Sequence, residues 1–332
     1  MLLWVKATLN FDKSTRAFYD LTPHQVMDAV DETGLTPTGE YIQLNSYENR
    51  VFEVKLENHP PVIVKLYRPG RWSRETILEE HFFLQELKEA QMPVIAPMEF
   101  KKLKDQTLFV HNHMYVTLFP KGLGRMPQEL FKDDYIKIGR RLALLHNVGQ
   151  QKVAKYRPSL KVDEFGYPAL DVLVSWVAPE VRTRYFAAAE TILEHLDDVL
   201  IEENFIRIHG DCHRGNLLQT DPKEGEKTFF FVDFDDFVNG PVAQDFWMLF
   251  SGHSESQQEL EWLLSGYEEL RHFPDEQLEL FQPLRGLRII HYAGWIARRW
   301  QDPSFPKLFP QFEDYSYWAE ETEILEKIAW NL

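Results

Sequence analysis

The run Ile208-His209-Gly210-Asp211-Cys212-His213-Arg214-Gly215-Asn216-Leu217-Leu218 sets a carboxylate and a carboxamide five positions apart in a glycine-containing turn. A second run, Phe231-Val232-Asp233-Phe234-Asp235-Asp236, ends an apolar stretch on acidic groups. Phosphoryl transfer from ATP needs such parts: a carboxylate to orient the attacking hydroxyl and accept its proton, and oxygen ligands for a metal bridging the phosphates. Magnesium is a hard cation, so Asn216 and an aspartate suit it where Cys212 does not. Taken singly, HxD and DxD are ordinary turns, and a lone His209 is more often a satisfied core histidine. A zinc site from His209, Asp211, Cys212 and His213 would crowd near neighbours of one loop into poor tetrahedral geometry. Asp235 and Asp236 are open to two readings, metal ligands or supporting loop carboxylates.

The elements that must position these groups begin with strands near residues 41–44, 50–56 and 61–67. The last is VIVKLY, whose alternation aims Lys65 away from Val64 and Leu66. A helix is expected from about 74 to 90, where Ile77, Glu80, Leu84 and Leu87 fall on one row. Glu80 therefore interrupts an apolar stripe, which Glu79 does not, and a carboxylate there needs a partner such as Lys65. TLFV and MYVTLF supply two more strands, and Pro120, Lys121, Gly122 and Gly124 mark a hinge. No GxGxxG or GxxxxGK[ST] pattern is present; LNSYENRV stands between the first two strands, with Ser46 as the candidate phosphate contact. A plain hairpin loop is the competing reading of that segment.

Beyond the hinge the pattern is helical. Tyr135, Ile138, Leu142 and Leu145 form one stripe, and ELEWLLSGYEEL and LRGLRIIHYAGWIARRW read as helices, with short strands at FIRIHG and TFFFVDF. Residues 151–205 carry no interpretable motif and either cover a substrate site or pack. The expected fold class is α+β and bilobal: residues 1–120 form a nucleotide-binding lobe with a five-stranded antiparallel sheet and one helix, 1–24 being an extension, and 121–332 form a larger, mainly helical catalytic and substrate lobe. Arg285, Arg288, Arg298 and Arg299 could form a patch for phosphate or an acidic partner, but solvated helix faces and ion pairs explain them more cheaply, and Trp295, Trp300 and Trp318 read as packing rather than a ligand cage.

The 332 residues, 44% hydrophobic and 27% charged, suffice for a sizeable core. The single Cys212 excludes an intrachain disulfide and fits a reducing, cytoplasmic setting. The opening MLLWVKATLNF lacks the basic start of a secretory signal, and no stretch is apolar enough for a membrane span. A formal net charge of −16 disfavours nucleic acid as a partner and favours cationic ones.

HGDCHRGN followed by a strand ending in Val232-Asp233 resembles the catalytic and metal-binding loops of protein-kinase-like phosphotransferases, which include aminoglycoside phosphotransferases, choline kinases and homoserine kinases of the second type. The resemblance implies that Asp211 is the catalytic base, that Asn216 and Asp233 bind magnesium, and that Asp233 is thereby catalytic. It further implies that His209 supports the loop, and that Asp245 of GPVAQDFW holds it through backbone hydrogen bonds. Lys65, held by Glu80, and Ser46 would contact ATP. The wider wording, LNSYENRVFEV, VKLYRPGRWSRETILEEH, HGDCHRGNLL, FVDFDD, NGPVAQDFWML and RRWQDPSFPK, spans about residues 25 to 315 and resembles the bacterial stress response kinase A family of serine/threonine protein kinases. That implies a protein substrate bearing Ser or Thr, autophosphorylation and a role in stress response. The chain is expected to act as a monomer. Two departures bear on regulation: Gly210 stands where many protein kinases have an arginine, and Asp233-Phe234-Asp235 replaces DFG with no APE-type segment after it. A small-molecule alcohol kinase shares the same constellation, whereas an ATP-binding pseudoenzyme would not require a general base.

Overall fold

The computed structural model describes residues 13–104, 106–122, 124–220, 227–250 and 256–332. The opening segment read for a secretory signal lies outside the described residues. Two short helices come first, α1 (Lys13–Tyr19) and α2 (Pro23–Glu32). Thr22 begins α2 with a capping box: its hydroxyl accepts from Gln25 N, and the Gln25 side chain accepts from Thr22 N. The exchange satisfies two donors that a helix start otherwise leaves open, and Pro23 occupies a position where a missing N–H costs nothing.

Next come β1 (Pro37–Leu44), β2 (Arg50–Leu56), β3 (Val62–Leu66), α3 (Arg74–Glu89), β4 (Phe109–His111) and β5 (Met114–Pro120). The strands form a five-stranded sheet in the order β1-β2-β3-β5-β4, every neighbouring pair antiparallel. Val62, Val64 and Leu66 enter one core with Phe18 of α1, Val26 and Val30 of α2, and Val116 and Leu118 of β5. Residues 13–24, read as an extension, thus help cover the sheet. With β3 alternating, Lys65 belongs to the opposite face, between Val51 of β2 and Thr117 of β5. Ser73 caps α3, its hydroxyl accepting from Thr76 N, and Ile77, Glu80, Leu84 and Leu87 are all buried while Phe82 is exposed.

The remaining elements are α4 (Lys132–Gly149), α5 (Tyr167–Leu173), α6 (Arg182–Val199), β6 (Ile206–Ile208), β7 (Leu217–Gln219), β8 (Phe229–Phe231), β9 (Val238–Gly240), α7 (Ala243–Trp247), α8 (Ser256–Glu268), α9 (Phe281–Arg299), α10 (Phe305–Leu308) and α11 (Tyr315–Trp330). The chain divides into two compact units: Met1–Arg125 with Gln219–Asp235, and Met126–Leu218 with Asp236–Leu332. The sheet unit thus receives a late segment carrying β8 and Asp233, which the linear division at 120/121 assigned to the second lobe.

In the helical unit, β6 pairs antiparallel with β9. Helices α4 and α8 cross at glycines: a Cβ on Gly139 would meet Leu263 O at 2.1 Å, and one on Gly266 would meet Ile136 O at 2.0 Å. Residues 151–205 pack: α5 lies on α9, and α6 lies on α9 and α11. Their apolar faces share one core with Trp318, while Trp295 and Trp300 pack against its margin.

Candidate active site

In the sheet unit, Lys65 Nζ lies 2.9 Å from Asp235 Oδ1 and 3.7 Å from both Glu80 Oε1 and Asp233 Oδ1. Burial alone would push the Lys65 pKa down, but Asp235, Glu80 and Asp233 outweigh it and hold the ammonium well above the ordinary lysine value. Arg71, from the turn after β3, also pairs with Asp235 Oδ2, which accepts a further hydrogen bond from Asn49 Nδ2 at 3.2 Å. Asn49 belongs to the β1–β2 loop, where its backbone N–H donates to Ser46 Oγ at 3.2 Å and its Oδ1 accepts from Arg68 N. Ser46 thus shapes the loop, and its own O–H is left for another acceptor. Counting Lys65 and Arg71 against Glu80, Asp233 and Asp235, the cluster carries one net negative charge.

The two aspartates of this cluster differ in what they offer. Asp235 is 3% exposed and committed to Lys65, Arg71 and Asn49; Asp233 is 58% exposed. Asp233 also sits at φ +63°, a left-handed conformation that aspartate tolerates better than most residues and that recurs at functional positions. Its carboxylate has the open oxygen valences a hard cation needs, and Asp235 does not.

In the helical unit, Asp211 follows β6 and precedes a 3-10 turn, Arg214–Asn216. Asn216 Nδ2 donates to Asp211 O at 3.0 Å and, more weakly, to Asp211 Oδ2 at 3.4 Å. Its amide oxygen remains as a second hard donor. Gly215 N donates to His213 Nδ1, which leaves the ring proton on Nε2, 3.5 Å from Asp211 Oδ2. Arg288 Nη2 of α9 lies 2.8 Å from Asp211 Oδ1. This is ion-pair distance without hydrogen-bond alignment, for Oδ1 is closed to solvent and accepts no hydrogen bond. Burial would raise the Asp211 pKa, but Arg288 and then His213 pull it far below the usual carboxylate range.

The loop is held from behind. Asp245 of α7 accepts from His209 N at 2.7 Å and from Gly210 N at 2.8 Å. His146, wholly buried, is 3.2 Å from Asp245 and 2.9 Å from the Tyr267 hydroxyl. Burial lowers the His146 pKa, more than Asp245 raises it. The neutral ring therefore donates from Nε2 to Asp245 and accepts from Tyr267 at Nδ1. Arg214 ties the same loop outward, donating to Leu249 O, to Tyr135 of α4 and to Glu259 of α8.

The sequence pattern of the phosphotransferase enzyme family matches residues 40–279. This chain belongs to that family. Stress response kinase A from Salmonella paratyphi A is 36% identical over 309 residues, 92% of either chain, and that from Escherichia coli is 34% identical over 315 residues, 94% of this chain and 93% of its own. A relative from Salmonella typhimurium, also 36% identical over 309 residues, bears the name serine/threonine protein kinase RdoA. Within the phosphotransferases the chain is thus a member of the stress response kinase A family. Two solved structures share the fold: an amicoumacin kinase in complex with AMP-PNP, Ca2+ and Ami, with TM-score 0.73, 18% identity and 96% of each chain covered, and a microcompartment-associated aminopropanol kinase, with TM-score 0.73, 19% identity and 94% of this chain and 98% of that one covered.

Of the residues singled out from the sequence, Lys65, Glu80 and Asp233 come together in the sheet unit, and Asp211 and Asn216 in the helical unit. Ser46 joins the first group through Asn49. In the sequence alone Arg71 and Asn49 carry no sign of a part in the site, and Arg288 reads as a solvated face or an ion pair. Arg71 and Asp235 stand 164 positions apart, so no local periodicity links them. The density of arginine on α9 was the available sign of Arg288, but spacing along a helix does not say which arginine meets an acid elsewhere.

Proposed function

We propose that this member of the phosphotransferase family is an ATP-dependent kinase that transfers the γ-phosphoryl group to a serine or threonine hydroxyl of a protein, including its own, during stress. The observation that carries phosphoryl transfer is the catalytic loop itself: Asp211 with Asn216 bonded to it, on a backbone anchored by Asp245. The protein acceptor is supported by relatives matching more than nine-tenths of the chain, one of them named a serine/threonine protein kinase.

In this reading Asp211 orients the acceptor hydroxyl and takes its proton as the oxygen bonds to the γ-phosphorus. The bridging P–O bond breaks, and its electron pair leaves on ADP. Lys65, fixed by Glu80 and Asp235, offsets phosphate charge, and Ser46 donates its O–H to phosphate. Asn216 and Asp233 would hold magnesium, which when bound neutralises the phosphate oxygens. Most of the catalysis is positioning and electrostatics, since a loose transition state needs little covalent help from the protein.

A small-molecule acceptor is the second reading, favoured by the fold shared with amicoumacin and aminopropanol kinases. Labelled ATP with a panel of serine-containing proteins, amino alcohols and aminoglycosides separates the two, transfer to protein being expected. Asp211→Asn, tested in the same panel, keeps shape and removes the proton acceptor. Turnover should drop at least about 100-fold, the lower range for a general base, and near-normal turnover would refute its role.

A further inference from the structure

In the helical unit one oxygen of the Asp211 carboxylate is covered. Asp211 Oδ1 is closed to solvent and accepts no hydrogen bond, while Oδ2 has only the longer contacts, 3.5 Å to His213 and 3.4 Å to Asn216. What lies over Oδ1 is the Arg288 guanidinium, 2.8 Å away. Arg288 comes from the middle of α9 and rests its guanidinium 5.5 Å from the centroid of the Tyr292 ring, one turn on. Its side chain is 31% exposed, against 17% for Asp211, so it is the partner with room to swing.

We infer that Arg288 is a specificity-determining residue that covers the base until an acceptor carrying a negative charge beside its hydroxyl draws the guanidinium off. The inference rests on Asp211 being the base. With Arg288 in place Oδ1 is closed to an incoming hydroxyl and the Asp211 charge is shared with the guanidinium, so the whole carboxylate is available as a base only when Arg288 moves aside. A carboxylate or phosphate next to the hydroxyl gives the guanidinium a new bidentate partner in exchange for Asp211. An ammonium in the same place meets a like charge and leaves the ion pair shut. The local charge thus opposes the chain's net charge of −16, which by itself would gather cations. Selection comes from a repulsive element as much as an attractive one. Once the base is uncovered, the acceptor oxygen bonds to phosphorus, its proton passes to Asp211, and the P–O bond to ADP breaks.

The test uses matched acceptor pairs with labelled ATP: serine peptides identical except for glutamates or lysines flanking the serine, and a hydroxy acid beside an amino alcohol. For the wild type the anionic member should be preferred by roughly tenfold or more in kcat/KM, Arg288→Gln should flatten the ratio toward one, and Arg288→Glu should reverse it. Arg285→Gln, which removes the same charge one turn away on α9, should leave the ratio as it is. With the cover removed, Arg288→Gln should also speed the slow transfer of the γ-phosphoryl group to water. A wild-type preference for the cationic members, or a ratio indifferent to residue 288, overturns the inference. So does a protein that uses no member of any pair and whose ATP hydrolysis is unchanged by Arg288→Gln. Asp211→Asn in parallel separates the two levels: if it keeps turnover, the base assignment fails, and if it is inactive while the ratio ignores residue 288, only the inference fails.

Discussion

At Gly210 the backbone takes φ +81°, and a Cβ would come within 2.5 Å of Asp236 O. No side chain is tolerated there, so the arginine that precedes the catalytic aspartate in many protein kinases has no place in this loop. The loop is instead fixed by Asp245, whose carboxylate accepts from both His209 N and Gly210 N. Without an arginine to grip a phosphorylated segment, transfer should not require phosphorylation of the stretch after Asp233. Treating the purified protein with phosphatase should leave its initial rate unchanged; loss of activity, restored by rephosphorylating that stretch, would refute this. The same scale explains why Asp233 and Asp235, two residues apart, are not equivalent. One is open to solvent, and the other is spent on Lys65, Arg71 and Asn49.

Helices α4 and α8 approach so closely that backbone meets backbone at Gly139 and Gly266. Both helices also reach the loop that carries Asp211 and Asn216, through Tyr135 and Glu259 to Arg214. Gly266→Ala would place a methyl 2.0 Å from Ile136 O, and backbone yields less readily than a side chain. The variant should lose about 2–3 kcal/mol, the upper part of the overpacking range, readable as a lower urea midpoint. A second element-scale effect sits among α6, α9 and α11, where Tyr185 Oη, Trp318 Nε1 and Glu321 Oε2 are buried without hydrogen-bond partners. Burial pushes the Glu321 carboxyl up to about 7, against the pull of Arg285. Because the folded pKa exceeds the unfolded one, the folded chain binds more protons between about pH 4.5 and 7, and stability falls as pH rises through that window. Glu321→Gln should therefore melt higher than the wild type at pH 8, by roughly 1–2 kcal/mol after allowance for partial exposure, and the gain should vanish near pH 4. An equal difference at both pH values would count against the buried acid.

For the whole molecule, nucleotide affinity and stability are linked, since a ligand that binds only the folded chain raises its melting temperature. Added ATP should raise the melting temperature more with magnesium than without, and Asp233→Asn should lose most of that magnesium-dependent increment. An undiminished increment would remove Asp233 from the metal site. Much of this arrangement was legible in the sequence because it depends on local periodicity. Alternation in VIVKLY set Lys65 apart from Val64 and Leu66, and the 3.6-residue repeat put Glu80, not Glu79, on the buried row of α3, where it lies 3.7 Å from Lys65. The five-stranded antiparallel sheet followed from strand and turn signals, and the phosphotransferase family from the paired acidic motifs. The helices α1 and α2 were missed although Thr22 and Gln25 spell a capping box, because a short helix offers too few turns to display a stripe. Beyond Lys65 and Glu80, only the tertiary structure decided which cations of the site meet which acids. Arg71 reaches Asp235 across 164 positions, and Arg288, one of several arginines on a single helix, alone lies on Asp211 among those four on α9. Periodicity states which side of an element a residue occupies, whereas an ion pair depends on how distant elements pack against one another.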